Sequence, residues 1–166
     1  MRRIGASVGN LLAVQGNLSN TYMKLGRRED ALLLKRDVYF GTVKLLGEEH
    51  SETLIEAGNY AVSLLDLERF EEAKSLLRKL MPVTRRVVGE SHEITIRNGT
   101  IYAAALNNDP SATLDDLREA VTMLEELEPY ARRVLGGAHP IARSVEQNLR
   151  HSRAALRARE TLASIA

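Results

Sequence analysis

Four histidines and adjacent carboxylates such as Glu48-Glu49, Glu71-Glu72 and Asp115-Asp116 are side chains of this sequence whose types could hold a metal ion or move a proton. Their spacing points elsewhere. His50, His92 and His139 each close one phrase: Leu46-Gly47-Glu48-Glu49-His50, Val88-Gly89-Glu90-Ser91-His92 and Leu135-Gly136-Gly137-Ala138-His139, with glycines 42 and then 47 residues apart. Residues locked to the phase of a repeat are held a repeat apart, so these imidazoles are expected to cap the helices that follow, and His151 stands alone. These three carboxylate pairs fall in connectors or first helical turns, where negative charge suits the helix dipole. No serine, aspartate and histidine share triad spacing, and no glycine-rich phosphate loop follows a strand. No catalytic residue, no metal ligand and no cofactor is expected.

The period that positions these residues runs through most of the chain. Asn17 and Asn59, Leu25 and Leu67, Ala31 and Ala73, and Leu34 and Leu76 are all 42 apart. The longer third interval places an insertion at Asn107-Asn108-Asp109-Pro110-Ser111, a run of turn residues. Each unit reads as helix A, a tight turn and helix B. Leu54, Ala57, Ala61 and Leu64 have helical spacing, then Ala73, Leu76, Leu77 and Leu80. The phrase glycine ends helix B with a left-handed residue, and Pro140 opens the last helix at a position where proline costs no hydrogen bond. The expected fold is all-α, a solenoid of stacked antiparallel helix pairs. Its units span approximately 8–49, 50–91 and 92–138, three and a half in all with a capping helix over 139–166. On that last helix Ile141, Val145, Leu149, Ser152, Leu156 and Ala163 form an apolar face opposite Arg143, Glu146, Arg150, Arg153 and Arg157. Two departures stand out. Lys35 and Gly41 replace Leu77 and Val83 of the next unit, predicting looser packing, and Pro82 and Pro129 fall inside helices, predicting bends.

Composition narrows the function. With 23 Lys and Arg against 22 Asp and Glu, no basic field argues for nucleic acid. The absence of cysteine excludes thiolate metal sites and favours the cytoplasm or another reducing intracellular compartment. No apolar run approaches the ~20 residues of a membrane span.

Helix pairs of 42 residues joined by Leu-Gly-x-x-His, with an asparagine nine residues after the histidine and an alanine early in helix B, resemble the tetratricopeptide repeats (TPR) of the kinesin light chain type. The stretches Ala112–Ala120 and Ala131–Pro140 are also similar to the expanded repeat proteins of unicellular marine algae. The resemblance implies a right-handed TPR-like α-solenoid whose helix A elements line a concave groove for a peptide segment of another protein. Asn17, Asn59 and Asn148 match the groove asparagine of peptide-binding members. Asn20, Lys24, Asp66 and Arg97 lie along the same faces and complete the expected peptide-binding set, a groove of mixed charge. Unit three carries Ile101 where the others carry asparagine. The alternative is a structural subunit held in a larger complex through its edges and convex face.

Overall fold

The computed structural model describes residues 2–165, with side chains from 8 to 164. Seven helices follow in order: α1 (Arg2–Lys24), α2 (Arg28–Leu46), α3 (Ser51–Asp66), α4 (Phe70–Val88), α5 (Glu93–Asn108), α6 (Leu114–Leu135) and α7 (Pro140–Ile165). Among the described residues there is no strand, and no helix is long and apolar enough to cross a membrane. Each helix packs on the next through a short connector, and α5 also lies against both α3 and α7. α1 differs, since among the described residues it packs on α2 without the close backbone approach to α3 that α3 makes to α5 and α5 to α7.

The repeated phrase is a joint with three parts. Nδ1 of His50, His92 and His139 accepts the backbone N–H two residues on, at 3.2, 3.2 and 3.3 Å, which satisfies one orphan donor of the following helix. Gly47, Gly89 and Gly136 have φ of 90°, 92° and 81°, the positive values expected, but ψ of 165°, 162° and 147°. That is extended backbone of inverted hand, open essentially only to glycine, and not the left-handed helical conformation predicted. Thr53 and Thr95 then donate their hydroxyls to the carbonyls of Gly47 and Gly89 at 2.7 and 2.6 Å, fastening the new helix to the joint.

Small residues let helices A and B approach. Ser19, Ala61 and Ala103 of the A helices and Ala31, Ala73 and Ala120 of the B helices are all fully buried, and Ala61, Ala73, Ala103 and Ala120 share one core with Leu54, Leu64, Leu77, Leu106 and Leu124. Gly41 does not loosen unit one as its lack of a side chain predicted. A Cβ there would meet Leu12 Cδ2 at 2.5 Å, so the glycine is the socket into which Leu12 packs. Pro82 and Pro129 are exposed inside helices that continue past them to Val88 and Leu135. On α7, Ala142, Val145, Leu149 and Ser152 are buried while Ala163 is exposed, so the packed face is shorter than the sequence pattern extended it.

Two polar latches tie units two and three. Tyr102 accepts a hydrogen bond from Arg78 Nε at 2.9 Å and donates to Glu119 Oε1 at 2.8 Å; burial, reinforced by Glu119, pushes its phenol up to about 12. Lys74 donates to Asp109 Oδ2 at 2.7 Å, both side chains being only 6% exposed. The Asp109 carboxylate also accepts the Ser111 backbone N–H at 2.8 Å and its hydroxyl at 2.6 Å. The insertion is therefore an ordered turn whose carboxylate, bound first by Lys74 and then by Ser111, is held down at about 2.

Lys74→Met leaves that carboxylate buried without its partner and should cost about 3–5 kcal/mol in urea unfolding. Because the folded Asp109 titrates below its ordinary value, its contribution is complete above the unfolded pKa of about 4 and fades as pH falls through about 2. Asp109→Asn should flatten the acid limb of a stability–pH profile over that window. The turn between helices A and B offers a second test. Gly26 has φ 75°, and 42 residues later Glu68 holds φ 58° with a side chain that gains nothing from it. Glu68→Gly should raise stability by about 0.5–1 kcal/mol, measured as a higher urea midpoint at unchanged slope.

Candidate functional site

Because α1 stands off from α3, the groove between them opens down to α2, and the result is a cavity of about 280 Å³. Asn17 and Asn20 of α1 line one side, Glu52, Glu56 and Asn59 of α3 the other, and Lys35 of α2 reaches up from below. Lys35 occupies the register of Leu77 and Leu124, both fully buried core residues, and is itself only 8% exposed. Among the described residues its ammonium has neither a carboxylate within salt-bridge distance nor a hydrogen-bond partner. Burial pushes its pKa down, Glu56 pulls it back up and Arg97 adds to the depression.

Arg97 of α5 links this cavity to the next. Its Nη2 donates to Asn59 Oδ1 at 2.6 Å, and Asn59 Nδ2 donates to Glu56 Oε2 at 3.1 Å, so cation, amide and carboxylate form one relay across α5 and α3. Burial lowers the Arg97 pKa, opposed by Glu56 and Glu93. On its other side Arg97 borders a second cavity of about 270 Å³, shared by α3, α5 and α7 and lined by Val62, Thr100, Ile101, Pro140 and Ile141. The inner face thus carries a polar cavity and an aliphatic one, separated by a guanidinium.

The seven residues expected from the sequence divide accordingly. Asn17, Asn20 and Asn59 surround the first cavity, and Arg97 stands between the two. Asn59 has its amide committed to neighbours, whereas Asn17 and Asn20 are exposed. Lys24 and Asp66 are exposed at helix ends and line neither cavity, and Asn148 turns its amide to the Ser144 carbonyl of its own helix at 2.8 Å. Lys35, Glu52 and Glu56 were missing from that set. Lys35 had a visible signal, a cation in a leucine register, which the pattern of one helix presents as poor packing. Ile101, in the asparagine register, supplies the aliphatic wall of the second cavity.

A larger cavity, about 560 Å³, lies against α4 and α6 and is rich in arginines that engage neighbouring side chains. Arg78 holds Tyr102, Arg85 pairs with Glu126 at 3.1 Å, and Arg86 pairs with Glu49 at 2.5 Å, each across a unit boundary.

Residues 11–52 and 57–93 match the model of the tetratricopeptide repeat family. No curated protein matches the chain. Among solved structures, a single-residue variant of a kinesin light chain-type protein of Podosopora anserina with nearly identical TPR-like repeats is 22% identical, with a TM-score of 0.71 over 92% of this chain and 70% of that one. A second structure from that organism, under the same description without the substitution, gives 0.69 at the same identity and coverage. BtubC (BKLC) from P. vanneervenii is 15% identical, with a TM-score of 0.68 over 95% of this chain and 65% of its own. Two repeats that match the family model, and a helical architecture shared with these kinesin light chain-type structures, give this chain the fold of a tetratricopeptide-repeat-like solenoid.

Proposed function

We propose that this chain is a non-catalytic protein-interaction module that holds a peptide segment of a partner in its concave groove. Tetratricopeptide repeats generally mediate contacts between proteins, and Lys35 carries the finer reading. The Lys35 ammonium has no protein partner among the described residues and opens into the cavity, where partial desolvation lowers its pKa and leaves its donors available. Such groups concentrate where a ligand completes them. A peptide laid along the groove brings carbonyl or carboxylate oxygens to Lys35. The free amides of Asn17 and Asn20 offer a donor and an acceptor to its main chain. An aliphatic side chain of the same peptide fits the cavity beside Ile101. The arginines around the α4–α6 cavity already engage neighbours across unit boundaries, which favours the groove over a subunit clamped through its other face.

Selection of binders from a random peptide library on the intact chain tests the reading, with competition by the selected peptide reporting the site. Lys35→Leu should raise unfolding stability by about 1–3 kcal/mol while weakening the selected peptide at least tenfold. Asn17→Ala should leave melting unchanged and weaken binding by about 1 kcal/mol. Peptides that bind Lys35→Leu as well as the parent chain would move the site out of this groove.

A further inference from the structure

On α1 the side chains of Leu11, Val14 and Leu18 are 57%, 62% and 40% exposed, a stripe at helical spacing with nothing on it among the described residues. In every later A helix the same register packs on the unit before. On α3, Thr53 bonds the Gly47 carbonyl and Tyr60 stacks on Tyr39. On α5, Asn98 donates to the Leu54 carbonyl at 3.0 Å and Tyr102 receives Arg78. On α7, Ala142, Val145 and Leu149 are buried in the core. The α1 stripe continues this stacking surface, and it is bare.

We propose that a second copy of this chain covers it, the two copies pairing α1 against α1 about a two-fold axis. A further repeat of the same kind fits badly. The first position of the register holds Thr53, Thr95 and Ala142, each at most 1% exposed beneath a connector, and α1 places the larger Leu11 there. Head-to-tail stacking of copies is opposed by the other end of the array, where α7 exposes Arg143, Arg150 and Arg157. Burying those guanidinium groups against leucine would strand their charges. Self-pairing meets neither obstacle. A two-fold axis sets a rim against its own copy, so a charged rim repels itself; the sequence from Ile4 to Met23 contains no Asp, Glu, Lys or Arg. Three aliphatic side chains make a patch of a few hundred Å² per copy, below the ~800 Å² per partner of a standard stable complex. The dimer is therefore reversible and concentration-dependent.

Sedimentation velocity on the full chain, from low micromolar to sub-millimolar concentration, should show a monomer–dimer equilibrium that the double variant Leu11→Asp, Leu18→Asp abolishes without loss of helicity. The chain has no cysteine, so single-cysteine variants report proximity without ambiguity. Val14→Cys should be joined to its own copy by a short bis-maleimide, and Arg150→Cys should not. A monomer at every concentration overturns the proposal. So does a dimer that survives the double variant, or cross-linking of Val14→Cys to Arg150→Cys in a mixture of the two.

Discussion

No helix pair of this chain can bury its own apolar stripe, and every other feature of the structure answers to that constraint. The A-helix face that begins at Thr53, Thr95 and Ala142 becomes dry only when the preceding unit lies on it, so stability passes from neighbour to neighbour along the array. The connectors must therefore deliver each new helix at one angle. Glycine at inverted extended backbone, a histidine cap and a threonine hydroxyl on the glycine carbonyl do this at the first two unit boundaries. At the third boundary Ala142 replaces the threonine, and the helix is held by packing and by its glycine and histidine alone.

Where the repeat departs from its pattern, polar chemistry takes over. The five-residue insertion before α6 would be an unanchored loop without Asp109, which binds Lys74 of the preceding B helix and organises Ser111 at once. Tyr102 similarly joins Arg78 and Glu119 from two B helices. Both latches are satisfied at each atom that matters, which is why burying them is tolerable. Lys35 is the contrast. It lies under the open cavity with no salt-bridge or hydrogen-bond partner among the described residues, and burial lowers its pKa against the field of Glu56. Its position under a groove, and not within a packed layer, is what makes it chemically different from Lys74.

The two ends of the array also differ in kind. α7 turns arginine outward, while α1 turns leucine outward. The same helix α1 stands away from α3, so the opening of the polar cavity and the bare stripe both belong to the first unit.

Much of this was legible in the sequence, for a physical reason. Period, capping histidines, phased small residues and the position of the insertion are local or nearest-neighbour properties, and a solenoid is built only from such terms. That is why the 42-residue spacing led directly to seven helices and to the small residues at their contacts. Individual contacts across units were not legible. Leu12 filling Gly41, the Arg97–Asn59–Glu56 relay and the Lys74–Asp109 pair each join residues tens of positions apart, and no spacing along one helix encodes them. Lys35 shows the boundary most sharply. Its sequence announces a cation in an apolar register, but whether that cation is a packing defect or the floor of a cavity depends on where α1 stands relative to α3, and only the tertiary structure decides that.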